Sequence, residues 1–258
     1  MSSPLAIPAL ASVRRFEAAG FRAWPAASVR YDGAWLIRLT PGHPARRLNS
    51  VNPLDPGDFD GLDGRIARAA AEFRAHGRPL TFRLSPLAPR ELDPYFDAAG
   101  WRSLPPSLVM HRPLDDKLVE AAIDQIPMRD VPRFIRAALR AQGAGNLLKP
   151  GLTEIVRAIE PEAGLFAIES GGTTMSTAIC VQDGDLAGLF EVATAAEVRG
   201  RGFGRRIVLS ALKWARLRGA RIAWLQVEAD NRAARSLYES IGFRELYRYH
   251  YRQPPDAS

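Results

Sequence analysis

Apolar and polar side chains alternate most clearly toward the carboxyl end of the chain. Residues 165–169 and 174–181 read as two strands around the turn Ser170-Gly171-Gly172, and Asp183-Gly184-Asp185 leads into a third strand, residues 186–194. The spacing then changes to that of a helix over 203–218, with Ile207, Leu209, Leu212 and Leu217 among its apolar positions and Gly219 as its stop. Residues 222–227 read as a strand, 232–240 as a short helix ended by Gly242, and 244–251 as a last strand. Upstream, 131–141 and 153–159 have helical spacing. Helices, an antiparallel meander and then alternating helix and strand predict an α+β fold, a mixed and mostly antiparallel sheet flanked by helices.

The amino-terminal part becomes legible when it is laid over the carboxyl-terminal part with a shift of 142 residues. Leu80, Phe82, Phe96, Gly100 and Trp101 then fall on Ile222, Trp224, Tyr238, Gly242 and Phe243. A helical stretch at 62–75 falls on the helix that begins near 203, and the strand-like 47–52 falls on the end of strand 186–194. A repeat of this length predicts two copies of one unit, residues 1–115 and 116–258, joined near the prolines at 113 and 127. The copies differ where chemistry is expected. Gly202 and Gly204 correspond to Asp60 and Leu62, with Asp58 and Asp63 beside them, an acidic loop that would repel phosphate. Asn231 corresponds to Pro89, and Tyr238 to Phe96, which lacks the hydroxyl, so only the second copy is equipped.

Composition changes this picture little. The net charge is +7 and the isoelectric point near 10.0, but only Lys117, Lys149 and Lys213 are lysines among 35 basic residues. The arginines are scattered, which argues against a nucleic-acid partner. No apolar run of about 18 residues exists to cross a membrane, and no basic patch precedes an apolar segment at the amino terminus, so a cytoplasmic protein is expected. Cys180, the single cysteine, falls in an apolar alternation and is expected to be a buried strand thiol. His43, His76, His111 and His250 have no metal-ligand spacing, so no metal is expected.

The densest local charge is Arg199, Arg201, Arg205 and Arg206, wrapped around Gly200, Gly202 and Gly204 between a strand and a helix. Such a turn aims backbone N–H groups and the positive end of a helix dipole at one spot, where a phosphate or pyrophosphate fits. No further glycine completes G-x-G-x-x-G, no acidic residue stands about 20 positions on, and no G-K-[ST] follows, which disfavours nicotinamide and nucleoside triphosphate ligands.

Arg199-Gly-Arg-Gly202-Phe-Gly204 resembles the Q/R-x-x-G-x-G/A acyl-CoA signature of the GNAT superfamily of N-acetyltransferases, and Trp224 to Asn231 with Leu237-Tyr238 and Gly242-Phe243 resembles its second conserved block. The resemblance spans about 130–252, and the amino-terminal copy looks like a degenerate unit of the same kind, as in tandem-GNAT proteins. It implies acetyl-CoA as acyl donor, with its pyrophosphate on Gly200, Arg201, Gly202, Phe203, Gly204 and Arg205, flanked by Arg199, and its pantetheine along Val192, Ala193 and Thr194. It implies a cofactor contact at Asn231, an acid at Tyr238 for the departing thiolate, and an oxyanion site at the amide of Val192 or Ala193. Relatives that acetylate protein amino termini can carry a glutamate where this chain has Gln226, leaving Glu191 and Glu228 as the nearest carboxylates for a base. The implied acceptor is a primary amine of a small molecule or peptide. A non-catalytic acyl-CoA sensor or scaffold is the alternative that Gln226 suggests.

Arg38, Arg46, Arg47 and Asn49 belong either to a cleft facing the second copy or to a structural polar network. The tail 254–258 is expected to be disordered. No membrane partner is expected, and a homodimer stays open.

Overall fold

The structure, a computed structural model, describes residues 9–120 and 122–255. Residues 1–8 and 256–258, on which the expectations for the amino terminus and the tail partly fall, lie outside them. In chain order come helix α1 (Leu10–Ala23), strands β1 (Ser28–Asp32), β2 (Trp35–Leu39) and β3 (Ser50–Pro53), helix α2 (Leu62–Ala75), β4 (Phe82–Leu84), α3 (Leu92–Ala98), β5 (Arg102–Pro113) and a short α4 (Asp116–Glu120). Then follow α5 (Val131–Gln142), α6 (Lys149–Arg157), the meander β6 (Glu162–Ser170), β7 (Thr173–Asp183) and β8 (Leu186–Thr194), then α7 (Phe203–Leu217), β9 (Ile222–Glu228), α8 (Arg232–Ile241) and β10 (Arg244–Gln253).

Ten strands form one mixed sheet in the order β1-β2-β3-β4-β10-β5-β9-β8-β7-β6. The strands of the two expected copies run on as one sheet because the last strands cross. Strand β10 pairs antiparallel with β4, while β5 lies between β10 and β9. The 142-residue shift carries Arg102 onto Arg244 and His111 onto Gln253, and the register joins Arg244 to His111 and Gln253 to Arg102. The two end pairs therefore exchange under the shift. It also brings α2 onto α7, β4 onto β9 and α3 onto α8.

Helix α7 buries Ile207, Val208, Ala211, Leu212 and Ala215 completely, a stripe at helical spacing that packs on the sheet. Each large aliphatic side chain removed from water contributes roughly 1.5–3 kcal/mol. Gly219 follows at φ +94 and ends it, as expected. Cys180 is fully buried in β7, and burial pushes its thiol pKa up.

Helix α1 and strand β1 were not anticipated. The buried side of α1 is built from Val13 and Phe16 with small Ala19, Gly20 and Ala23, and it includes a buried charge, Glu17. That stripe is weak by composition yet joins the beginning of the chain to its end. Phe16 meets Trp224 edge-on at 6.2 Å, and Trp24 stacks on Phe190 at 5.3 Å. Glu17 takes hydrogen bonds from both terminal nitrogens of Arg83 on β4 and from Tyr247 on β10.

Residues 46–48 form a 3-10 turn where a strand was expected, and β3 starts only at Ser50. Asn49 is the cause: its amide donates to the carbonyls of His43 and Ala45, and its oxygen accepts from the Thr40 amide. Helix α6 starts ahead of the expected 153 because Pro150 is tolerated in its first turn.

The acidic loop of the first copy is closed on itself. Asp58 accepts from the Ala34 amide at 2.7 Å and from Arg65 at 2.8 and 2.9 Å, and Arg65 lies over Trp35 at 3.9 Å. The Arg65 hydrogen bond holds the Asp58 carboxyl below the usual carboxylate range.

Candidate active site

Strands β8 and β9 run parallel from Leu186 and Ile222 to Leu189 and Leu225, and their pairing ends there. Just beyond, β8 carries an extra residue. Phe190 pairs with Ile179 and Ala193 with Thr177, so Glu191 and Val192 stand opposite Ala178 alone. Glu191 adopts φ +49, the only non-glycine residue at positive φ among the described residues. Such a conformation costs on the order of 1–3 kcal/mol and is held by its surroundings. Here Thr177 Oγ1 donates to the Glu191 carbonyl and Gln142 Nε2 to its carboxylate at 2.6 Å. A bulge bends its strand, and this one opens a cleft of about 860 Å3 where β8 parts from β9.

Leu189, Phe190, Glu191 and Val192 line one side of the cleft, Gln226 to Glu228 the other, with Asn231, Ala234 and Tyr238 from α8. Tyr238 is buried, packs edge-on to Phe243 at 5.8 Å, and has its pKa pushed up to about 12 by that burial. Asn231 caps α8, its Oδ1 accepting from the Ala234 amide at 3.1 Å. Gln226 Oε1 accepts from the Tyr249 hydroxyl at 2.8 Å. Glu228 is exposed and pairs with Arg46 at 3.5 Å.

Residues from the beginning of the chain close the far wall: His43, Arg46 and Arg47, with Ser107, Tyr249 and Tyr251 beside them. The Ala45 amide donates to His43 Nδ1 at 3.2 Å, and burial, reinforced by Arg78 and Arg47, lowers the His43 pKa. With Nδ1 accepting that bond, the neutral ring carries its proton on Nε2.

Strand β8 leaves the cleft at Thr194 and turns through residues 196–198 into the glycine-rich loop. Gly200 and Gly202 sit at φ +74 and +82 with open space where a Cβ would be, so these glycines serve backbone shape. Gly204 serves packing instead, since a Cβ there would lie 3.1 Å from Thr194 Oγ1 and 3.2 Å from Leu237 Cδ2. Arg206 donates the first bond of α7, to the Gly202 carbonyl, which leaves the amides of Phe203, Gly204 and Arg205 as the helix's initial donors. Arg199 reaches the Thr194 carbonyl at 3.4 Å and Arg205 the Ser240 carbonyl at 3.2 Å, and Arg201 lies 5.9 Å from the Phe203 ring. Arg199, Arg201, Arg205 and Arg206 are exposed, and none pairs with a carboxylate among the described residues.

Strand β8 thus parts from β9 and runs through the glycine-rich turn into an arginine-flanked helix start. The family described as probable histone acetyltransferase Rv0428c C-terminal matches residues 10–252. The chain belongs to this family of GNAT acetyltransferases. It is 27% identical over 252 residues to the uncharacterized N-acetyltransferase YobR of Bacillus subtilis (strain 168), covering 93% of this chain and 98% of that one. Its fold is similar to a GCN5-related N-acetyltransferase from Kribbella flavida, with TM-score 0.68, 17% identity and 97% of each chain covered. It is also similar to a tandem GNAT protein from the clavulanic acid biosynthesis pathway, with TM-score 0.61, 16% identity, and 97% of this chain and 89% of that one covered.

In this GNAT chain the cleft gathers Glu191, Val192, Glu228, Asn231 and Tyr238. Ala193, Thr194 and the loop 199–205 are not in its lining and follow at the end where β8 leaves. Of the four polar residues singled out near the amino terminus, Arg46 and Arg47 line the cleft, whereas Arg38 and Asn49 are buried in a hydrogen-bond network. Sequence reasoning missed His43, Gln142, Tyr249 and Tyr251. The two tyrosines had a signal, since Tyr247, Tyr249 and Tyr251 alternate along β10 and share one face of the sheet.

Proposed function

We propose that the chain transfers the acetyl group of acetyl-CoA to a primary amine of a small molecule or peptide. Residues 116–258 form the catalytic unit in this reading, and residues 1–115 form a degenerate unit that walls the acceptor side. The observation that carries it is the parting of β8 and β9 after Leu189 and Leu225, next to a glycine-shaped helix start with no acidic residue in its first turn. A cytoplasmic location belongs to the same reading, and among the described residues no helix is long and apolar enough to cross a membrane.

Acetyl-CoA supplies the acetyl group as a thioester. The amides of residues 200–205 would hold its pyrophosphate, with Arg199, Arg201 and Arg205 adding charge from the sides. Val192, Ala193 and Thr194 would pair with the pantetheine along the free edge of β8, and Asn231 would meet the same ligand from the start of α8. The amide of Val192, in the bulge, or of Ala193, next to it, would face the carbonyl oxygen as it gains negative charge. Tyr238 would give its proton to the departing sulfur, and its pKa of about 12 keeps that proton in place at neutral pH. Glu191 or Glu228 would take the proton of the amine, directly or through water.

Acetyl-CoA mixed with a panel of primary amines is expected to yield free CoA at a rate that depends on the amine. Glu191→Gln and Glu228→Gln, assayed side by side, identify the base by which one flattens the rise of the rate with pH. Acetyl-CoA binding without CoA release from any amine would favour the non-catalytic sensor, which the amide at Gln226, bonded to Tyr249, keeps in view.

A further inference from the structure

Three guanidinium groups and one carboxylate, those of Arg38, Arg47, Arg83 and Glu17, line a small cavity that also touches Phe190 and Gln226 where β8 and β9 part. The carboxylate is fully engaged, because Glu17 takes bonds from Arg83 on both oxygens and from the Tyr247 hydroxyl at 2.7 Å. Arg38 is 3% exposed and spends its terminal nitrogens on the carbonyls of Arg47 and Trp24, while its buried Nε has no partner. Among the described residues no carboxylate forms an ion pair with Arg47. Its guanidinium makes no ion pair or hydrogen bond among the described residues, although it is half-buried and lines both the small cavity and the large cleft.

The other charged side chains of the cleft wall each have a partner, although that of Glu191 is the neutral amide of Gln142. Arg46 meets Glu228 at 3.5 Å, and Glu191 is held by Gln142 at 2.6 Å. A half-buried cation without a partner is costly to maintain, and a planar carboxylate would complete it with two parallel hydrogen bonds. The loop 199–205 lines neither the small cavity nor the cleft, so an anion at Arg47 lies apart from the phosphate-binding end.

We propose that the acceptor is an amine that also carries a carboxylate, and that Arg47 holds this carboxylate. The inference rests on the acetyl-transfer reading for the amine and on the unanswered charge at Arg47 for the carboxylate. A lysine-rich tail is disfavoured, because it would bring further positive charge to this wall.

The test is calorimetric titration of 4-aminobutyrate, β-alanine and glutamate, each against its carboxamide, into the protein with and without CoA. At least one carboxylate is expected to bind about tenfold or more tightly than its amide. Arg47→Gln is expected to abolish the difference and Arg47→Lys to restore part of it, with CoA affinity equal in all three proteins. A set in which no carboxylate outbinds its amide, or a preference that survives Arg47→Gln, would overturn the proposal. Failure of acetyl transfer is read separately: a chain that holds carboxylates through Arg47 but releases no CoA from acetyl-CoA loses the transferase reading and keeps the anion site. Transfer to neutral amines, unaffected at Arg47, has the opposite meaning.

Discussion

Gly204 and Thr194 lie so close that a Cβ on the glycine would stand 3.1 Å from the threonine Oγ1, with Leu237 at 3.2 Å behind it. The contact ties the end of β8 to the start of α7, which carries the proposed phosphate donors. Gly204→Val would force these elements apart and is expected to cost about 1–3 kcal/mol of stability. Urea unfolding reads that loss, and acetyl-CoA titration should weaken in parallel because the helix start moves.

Arg83 and Glu17 are 4% and 2% exposed, which makes their ion pair one of the most buried in the fold. Arg83→Met leaves a buried carboxylate with only Tyr247 as partner and is expected to cost about 3–5 kcal/mol. Combining it with Glu17→Met should return much of that loss, since the charge requiring the partner is gone. Urea midpoints of the two single variants and the double variant check this.

Tyr238→Phe keeps the ring that packs on Phe243 and removes only the hydroxyl. It is expected to lower kcat by about 10²–10⁴-fold with little change in acetyl-CoA affinity. Because Tyr238 stays protonated until about pH 12, the wild-type rate should rise as the amine loses its proton and show no falling limb through about pH 10. A falling limb near neutrality would remove Tyr238 as the acid.

The same burial sets an alkaline limit on stability. Burial raises the phenols of Tyr238, Tyr247 and Tyr251 above their unfolded value of about 10, so the folded chain favours their neutral form. That contribution is complete below pH about 10 and is lost as the pH rises through the folded values. Urea midpoints should therefore hold level from pH 7 to about 9.5 and fall steeply above 10.

The carboxyl-terminal elements were legible because each is punctuated: Gly172 and Gly184 turn the meander, and Gly219 and Gly242 stop the helices, all at positive φ. Helix α1 was not, because its buried side relies on Ala19, Gly20 and Ala23 and hides a glutamate. The crossing of β5 and β10 was not either. A repeat says what each copy forms, but the partner of an extended strand is chosen by the faces available after folding. Of the residues singled out from the motifs, Tyr238, Asn231, Glu228, Glu191 and Val192 line one cleft. The wall containing His43 and Arg47 depends on the turn that Asn49 imposes, a tertiary choice that alternation does not reveal.

That wall is fixed from behind by two glycines. A Cβ on Gly151 would stand 2.1 Å from the Gly42 carbonyl oxygen, so Gly151→Ala must push the main chain that leads into His43 and Arg47. An increase of roughly tenfold or more in the acceptor KM is expected, with acetyl-CoA affinity unchanged. Kinetics with each substrate varied in turn separate the two.

In the proposed reaction acetyl-CoA would sit between the parted strands with its pyrophosphate on the glycine-rich loop. Calorimetric titration of acetyl-CoA into the wild type and into Gly202→Asp, where a side chain meets open space, decides this placement, with circular dichroism confirming that both are folded. Micromolar-range binding by the wild type and its loss in the folded variant, whose carboxylate faces the phosphate, are expected. A folded wild type that takes up no acetyl-CoA, or a variant that binds it equally well, would rule this placement out.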